Sequence, residues 1–484
     1  MKDFNSNATL RFITILALLR NINQAEFSNV SQMDVGKRCF KNTRITHVPC
    51  TTCSFGCVPF EATKVSKRSI DKEISLVLDL AVKQSNIILF DYNEKLQGKE
   101  RITNEINKML RGYEGVRYVS DKQMIVFDIG SAYTKFGYAG EASPRGIIRT
   151  EVRCPESKKI RRIIDHTDVE DLYQLLVEFL HLLFFKYVVV TPKDTRILFL
   201  ESPLAVTSFR DTIAKVMFKH FEVGSILFLP SHLATISTLG IDTALVLDVG
   251  YREATLIPIF EGIPVLKAWQ ALPLAGQVVH ENLRRYFNDI SSDIDLSEKV
   301  LEDIKVRTCF TTTLERSTKL GTKDAPTSPP DVMYPGVKRI LIPGEIREKA
   351  FEILWERDND NLSLPTMILD AIVKCPLDMR RVLVENIILI GGTTMTKGFA
   401  SRLKSELLTL VQGDLYKSKL KIQSFKFHTA PSKPNYTAWL GGAIFGTTDL
   451  PLRCLTKETY LKTNRVPDWS CLIDNQKDET SYEI

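Results

Sequence analysis

The chain has 484 residues, of which 44% are hydrophobic and 25% charged, and its net charge is +6 at neutral pH. This composition is that of an ordinary globular protein large enough for two or three domains. The mild charge does not indicate nucleic acid as a partner, and no apolar stretch has the length of a membrane span. We therefore do not expect this protein to bind nucleic acid, to insert into a membrane or to be secreted.

Residues 1–108 form an N-terminal extension whose status the sequence leaves open. Cys50 and Cys53 form a Cys-x-x-Cys pair that could bind zinc, although no second ligand pair follows at a usual distance. The alternative is that the natural start is Met109 and that the preceding segment is an added extension. Apolar runs in it predict a helix over 74–82 and a strand over 87–90. The cysteines after this segment are scattered, which indicates reduced thiols in a cytosolic protein.

Strands and helices alternate from Gln123 onward, which predicts an α/β fold with helices covering the sheets. A segment over 321–335, rich in Pro, Ser, Thr and Lys, predicts an exposed loop. The predicted strands are 124–128, 134–139, 196–200, 225–229, 244–248, 254–259, 386–390 and 422–427. The predicted helices are 168–186, 208–221, 231–239, 275–287, 297–308, 345–356, 363–373, 397–411 and 435–446.

Two of these strand pairs are joined by an Asp-x-Gly turn. The first turn holds Asp128, Gly130 and Ser131 with Lys135 seven residues after the Asp, and the second holds Asp248 and Gly250. A glycine lets the backbone bend so that its N–H groups face a phosphate, while the carboxylate orients a metal-bound water. A single turn of this kind is equally consistent with any hairpin, but two facing turns would form a clamp.

A third element follows a strand near the carboxyl end of the chain. The strand over 386–390 runs into Gly391, Gly392, Thr393, Thr394 and Met395 and then into a helix. Glycines at such a junction let an adenine and its ribose lie against the backbone. The simpler interpretation is a tight turn without a ligand.

Taken in order, these motifs resemble actin and the actin-related proteins over about residues 122–470. The resemblance implies a two-lobed actin-like fold, with two ribonuclease-H-like domains around a nucleotide cleft. It assigns 122–238 to the first lobe, with 437–484 returning to it, and 239–436 to the second. The stretch between Arg145 and Glu201 is much shorter than in actin, which implies a reduced outer subdomain. Further matching segments are 201–204, 261–262, 303–305 and 439–442.

The resemblance also implies ATP or ADP with Mg in the cleft, held as a structural ligand. Ala132, Val306 and Asn435 depart from the family pattern around it, and Arg252 would either neutralise phosphate or fill the site itself. The implied nucleotide-binding residues are Asp128, Gly130, Ser131, Lys135, Asp248, Gly250, Lys305, Gly391, Gly392 and Met395.

ATP hydrolysis is expected to be lost, and we assign no catalytic residue. Ser231 stands where actin has the glutamine that orients the attacking water, and Thr255 stands where it has a histidine. Serine is too short to hold that water, and a threonine cannot serve as a base. Tyr251 and Arg252 replace small residues after the second turn. His232 is interpreted as a helix N-terminal or packing histidine that points to another face of its helix.

Four segments resemble, more narrowly, the branch of the family at the pointed end of dynactin: 261–266, 301–310, 439–446 and 465–469. This resemblance implies a cytoplasmic, cytoskeletal protein that caps a short filament and supports dynein-driven movement on microtubules. The implied partners are the actin-like filament subunits of dynactin and the other pointed-end subunits. The alternatives are an ATPase of the actin superfamily and a nuclear actin-related subunit of a chromatin remodeller.

Overall fold

The computed structural model describes residues 123–153, 158–290, 296–335, 339–448 and 454–468. These residues belong to one compact unit. The predicted zinc site at Cys50 and Cys53, the start at Met109 and the elements over 74–82 and 87–90 lie outside the described residues.

The first lobe is built on a six-stranded sheet in the order β16-β7-β6-β1-β2-β3. Strands β1, β6 and β7 are parallel, and β2 pairs with β1 in an antiparallel hairpin. Side chains alternate along β1: Ile125 and Phe127 pack with the outer helices, and Val126 faces the other side. The strands are β1 (Ile125–Ile129), β2 (Tyr133–Tyr138), β3 (Gly146–Arg149), β6 (Arg196–Glu201), β7 (Ser225–Pro230) and β16 (Leu455–Thr456).

The second lobe repeats this plan. Its sheet has the order β10-β9-β8-β14-β15, and β11 also pairs with β9. An antiparallel hairpin, β8–β9, again stands beside parallel strands, β14 and β15. The strands are β8 (Ala244–Val249), β9 (Ala254–Phe260), β10 (Ile263–Pro264), β11 (Gln270–Leu272), β14 (Ile387–Ile390) and β15 (Phe427–His428).

Helices cover the outer faces of both sheets, as the alternating pattern predicts. The longer ones are α1 (Val169–Leu182), α2 (Thr207–Lys215), α4 (Gly276–Ile290), α5 (Glu298–Thr308), α8 (Leu364–Lys374), α9 (Leu377–Val384), α10 (Phe399–Gln412) and α12 (Thr437–Phe445). Short helices are α3 (Ser231–Ser237), α6 (Leu314–Ser317), α7 (Gly344–Lys349), α11 (Asp414–Lys417) and α13 (Lys457–Thr463). Helices α1 and α2 continue as π-helical turns over Leu183–Val188 and Val216–His220.

Helices α3 and α12 carry the chain from one sheet to the other and cross between them. A Cβ added at Gly441 would lie 1.9 Å from the Ala234 carbonyl oxygen, so only glycine permits this approach. Trp439 is fully buried here, and its indole N–H donates to the Val126 carbonyl at 3.1 Å. The two helices share a core with the inner faces of both sheets. The lobes are therefore joined by a packed centre.

Two sequence predictions need correction. Part of the loop predicted over 321–335 is a strand, β12 (Val332–Pro335), which pairs with β13 (Arg339–Ile342). This strand is stabilised because the Tyr334 side chain is buried and its hydroxyl donates to Asp303. The strand predicted over 422–427 is only Phe427–His428, because β14 offers two paired positions there. Another two-stranded sheet, β4 (Glu151–Arg153) with β5 (Ile160–Arg162), was not predicted.

No helix in the described ranges is long and apolar enough to cross a membrane. The cysteines described there, Cys309, Cys375 and Cys454, are free thiols.

Candidate functional site

A cavity of about 1190 Å³ lies where the two hairpins and the β14 junction meet. All ten residues that the sequence assigned to nucleotide binding line it, from Asp128 in the first lobe to Met395 in the second. Most of them come from three different strand ends, because the carboxyl ends of β1, β8 and β14 point to the same place. The structure therefore brings the predicted residues together, and their role in nucleotide binding stays a prediction.

The first turn directs its carbonyl groups away from the cavity. Thr150 donates its hydroxyl to the Gly130 carbonyl at 2.7 Å and its N–H to the Ala132 carbonyl at 2.9 Å. Within the described ranges, the N–H groups of Ser131 and Ala132 have no acceptor. Because C=O and N–H point in opposite directions across a peptide plane, the Ser131 N–H is left for a ligand.

The second turn is held in the same way. The Gly250 carbonyl accepts from the Gly276 N–H at 3.2 Å and from the Thr393 hydroxyl at 2.6 Å, and the Tyr251 carbonyl accepts from the Gln277 N–H at 2.6 Å. The N–H groups of Tyr251 and Arg252 lack an acceptor among the residues described. The larger side chains after Gly250 have therefore not removed the donors that a phosphate would need.

Charged groups of opposite sign line the base of the cavity. Lys135 lies 2.9 Å from the Asp128 carboxylate, directly across the first hairpin. Burial raises the pKa of Asp248 to about 7; Lys135 opposes this rise, and Asp128 and Glu253 add to it. A cation bound beside Asp248 would favour its ionised form, and a bound proton would compete with that cation.

The third wall comes from the Gly391–Met395 segment. Gly391 has a φ of +94°, and a Cβ there would lie 2.3 Å from the Val249 carbonyl oxygen, whereas Gly392 has open space beside it. The Lys305 ammonium lies near this wall, about 3.4 Å from where a Gly276 Cβ would stand. It makes no hydrogen bond or ion pair within the part of the chain described. The pair of glycines thus leaves a flat, open wall beside a cation.

These features fit a nucleotide with a divalent cation. Ser131, Tyr251 and Arg252 would offer N–H groups to phosphate oxygens, and Lys135 would offer a charge. Asp128 and Asp248 would face the hydrated metal, which supplies charge neutralisation when bound. The open wall at Gly392 would accommodate the flat base.

Ser231 and Thr255 line the cavity beside Asp248. Their short side chains end in hydroxyl groups. His232 is behind them: its ring lies 3.2 Å from the Ser231 hydroxyl and 3.2 Å from the Thr255 hydroxyl. The ring is 1% exposed, and burial lowers its pKa to about 4. His232 thus packs as predicted. Its contacts with Ser231 and Thr255, however, show that it supports the cavity wall.

The residues after Gly250 take different directions. The Tyr251 hydroxyl donates to Glu298 and accepts from Arg162 at 3.3 Å, so the ring leaves the phosphate turn. The exposed Arg252 side chain lines the cavity and has no hydrogen bond or ion pair in the described ranges. Both alternatives for Arg252, a phosphate ligand or a substitute for the phosphate, therefore remain sterically available.

Sequence reasoning missed the residues that hold the two turns, namely Thr150, Thr393 and Gly276. Thr150 follows β3 and Gly276 begins α4, and their hydrogen bonds to the turns depend on the tertiary fold. Thr393 lies inside a predicted motif, but its contact with Gly250 joins positions far apart in the chain. No spacing signal in a single sequence could have paired them.

Comparison with known proteins agrees with this geometry. The family model described as Actin matches residues 156–319 and 295–464. The chain is 27% identical over 438 residues to actin-related protein 10 of Dictyostelium discoideum, covering 74% of this chain and 91% of that protein. It is 26% identical over 383 residues to putative actin-29 of the same organism, covering 70% and 94% respectively. With this fold, this cleft and these matches, the chain belongs to the actin family as an actin-related protein.

Proposed function

We propose that this protein is a non-catalytic actin-related subunit that caps the pointed end of the dynactin filament in the cytoplasm and so supports dynein-driven transport. Its partners are the actin-like filament subunits on one side and the other pointed-end subunits on the other. ATP or ADP with Mg serves as a structural ligand in the cleft. The similarity to actin-related protein 10 and the segment resemblances support this assignment.

The observation that carries the capping proposal is the small size of the outer part of the first lobe. Between β3 and α1 the described chain forms only the short β4–β5 pair and a single turn over Ile163–Asp165. A head-to-tail filament grows only where each subunit offers both complementary faces. A subunit that has lost the outer face can still dock by its opposite face and then stops further addition.

The loss of hydrolysis is supported by the wall around Asp248. Ser231 and Thr255 end in hydroxyl groups, which cannot accept a proton from water at neutral pH. His232 is behind this wall, and with a pKa of about 4 it is a weak base. Ser231 and Thr255 themselves thus offer neither a long group to orient the attacking water nor a base.

A growth assay on barbed-end-capped, actin-like filaments tests the capping proposal. We expect substoichiometric amounts of the full chain to stop addition at the pointed end, and purification from cells to yield dynactin subunits by mass. Unchanged pointed-end growth would contradict the proposal. Co-purification with a chromatin remodeller would instead support the nuclear alternative.

A single-turnover assay with radiolabelled ATP tests the catalytic part separately. We expect phosphate release no faster than the uncatalysed background, and no acceleration when filament subunits are added. The double variant Ser231→Gln with Thr255→His is the matched comparison, because it restores both side chains of the actin pattern. An actin-like rate in the parent protein would show that it is an ATPase of the superfamily.

A further inference from the structure

A group of charged and polar side chains crosses the mouth of the cleft, beside the nucleotide-lining turns. On the first-lobe side it comprises Arg149, Glu151 and Arg162, which lie on β3, β4 and β5. On the second-lobe side it comprises Tyr251, Glu298, Lys299 and Glu302. We call these seven residues the cross-cleft cluster.

Direct contacts join the two sides at three places. Arg149 lies 3.1 Å from Glu302, and Lys299 lies 2.9 Å from Glu151. Arg162 donates to the Tyr251 hydroxyl at 3.3 Å, and that hydroxyl donates to Glu298. These contacts add to the core around α3 and α12 at the centre of the molecule and to the 3.5 Å hydrogen bond from the Ser202 hydroxyl to Glu253, which also join the lobes.

The pattern of charge is reciprocal. Each side of the cluster contributes both a cation and a carboxylate, so the contacts form only when the lobes meet in one register. A shift that brought Arg149 opposite Lys299 would place like charges together. The cluster therefore specifies a single closed arrangement.

Other groups hold the second-lobe members in place. Glu298 also bonds the His280 ring and lies 3.0 Å from Arg284, and these bonds keep the pKa of its carboxyl well below the usual value. Glu302 also lies near Tyr133 of β2 in the first lobe. Burial, and then the neighbouring Glu302 carboxylate, raise the pKa of Tyr133 to about 12. Arg149 and Glu302 are partly buried, which reduces the screening of their contact by salt, whereas the Lys299 side chain is 52% exposed.

We propose that the cross-cleft cluster is a latch that keeps the two lobes closed when no nucleotide is bound. In a cleft without such contacts, closure depends on a ligand that touches both lobes. Here the protein supplies its own contacts between the lobes. The latch does not depend on the capping role, and either proposal can fail alone.

Charge reversal and charge exchange test the latch in the full chain. After nucleotide is removed with EDTA and apyrase, Glu302→Arg places a guanidinium beside Arg149. We expect a larger radius of gyration by small-angle X-ray scattering and faster amide exchange in α5 than in the parent. Combining it with Arg149→Glu restores opposite charges, and we expect the parent values to return.

Glu385→Arg is the matched control, because it makes the same charge change and breaks the Arg381 pair at the end of α9. We expect it to behave like the parent in both measurements. The latch is refuted if Glu302→Arg scatters and exchanges like this control, or if the exchanged pair remains as open as the single variant.

A milder variant covers the case in which Glu302→Arg does not fold. Tyr251→Phe combined with Lys299→Met removes two of the three links without adding a charge of the wrong sign. We expect the nucleotide-free protein to expand, and saturating Mg-ATP to restore the compact form. A radius of gyration equal to that of the parent without nucleotide would also refute the latch.

Discussion

Replacing Asp248 by asparagine should stabilise the nucleotide-free protein, and more so as the pH rises. The Asp248 carboxyl lies at the base of the cavity, where burial raises its pKa from 3.8 to about 7. The folded protein therefore holds the proton more tightly than the unfolded chain does. Between pH of about 4 and about 7, the stability of the parent falls as the pH rises, because folding must then take up a proton that the unfolded chain has already lost.

The gain in stability of the asparagine variant follows from the change in the Asp248 pKa between the unfolded and folded states. About three pKa units at 1.36 kcal/mol each give an upper limit of roughly 4 kcal/mol for the difference in free energy of unfolding above pH 7. Water in the cavity would reduce this value. The asparagine variant has no charge to place there, so its advantage is absent near pH 4 and reaches its full value above pH 7.

Thermal melts from pH 4 to pH 8 in EDTA measure this difference between variant and parent. Asp360→Asn is the control, because Asp360 is exposed in a loop. We expect a difference in melting temperature that grows with pH for Asp248→Asn alone. A difference that is constant or shrinks over this range would refute the reasoning about burial. Adding Mg²⁺ with ATP should diminish the difference, since a cation favours the ionised carboxylate of the parent.

Three further predictions concern the cleft and the centre of the molecule. Gly391→Ala should destabilise the protein by more than Gly321→Ala, because both glycines have positive φ but only Gly391 has a backbone atom 2.3 Å from an added Cβ. Equal melting temperatures of the two variants would contradict this. Mg-ATP should raise the melting temperature of the parent and of Arg252→Ala but not that of Asp128→Ala. An unchanged melting temperature of the parent with Mg-ATP would mean that the cleft binds no nucleotide. Trp439→Phe should lower the free energy of unfolding by about 1–3 kcal/mol, because the buried Val126 carbonyl loses the indole N–H as a donor. An unchanged midpoint in a denaturant titration would contradict this.

The parts of the fold that sequence reasoning predicted are governed by local rules. The Asp128 and Asp248 turns follow from an apolar strand, an acid and a glycine within a few residues. The strand ending at Ile390 and the two glycines after it are likewise a local signal. Because these three motifs occur at strand ends, predicting them also predicted which side chains share the cavity.

The parts it missed depend on contacts between distant positions. The sequence predicts a loop over 321–335 because this segment is rich in Pro, Ser, Thr and Lys, whereas its end forms β12, where Tyr334 is buried and its hydroxyl donates to Asp303. The pairing of Arg149 with Glu302 joins residues of different lobes, and each looks like an ordinary surface charge in the sequence. Long-range pairs of this kind have no periodicity by which a single sequence reveals them.

The order of the strands bears on how this chain folds while it is being synthesised. The strands of the second sheet all lie between Ala244 and His428, so that sheet can form as soon as this stretch has emerged from the ribosome. The first sheet begins to emerge earlier but must wait for its edge strand, in which Leu455 pairs with Ile226. Its inner face must also wait for Trp439.

During that interval, apolar side chains of the first lobe such as Val126 and Leu198 lack their final neighbours, although these residues are synthesised long before α12. A nascent chain that stops before α12 therefore exposes a row of strands with a bare apolar face, which favours association with other chains. The crossing of two helices between the lobes thus makes completion of the earlier lobe depend on the last part of the described chain.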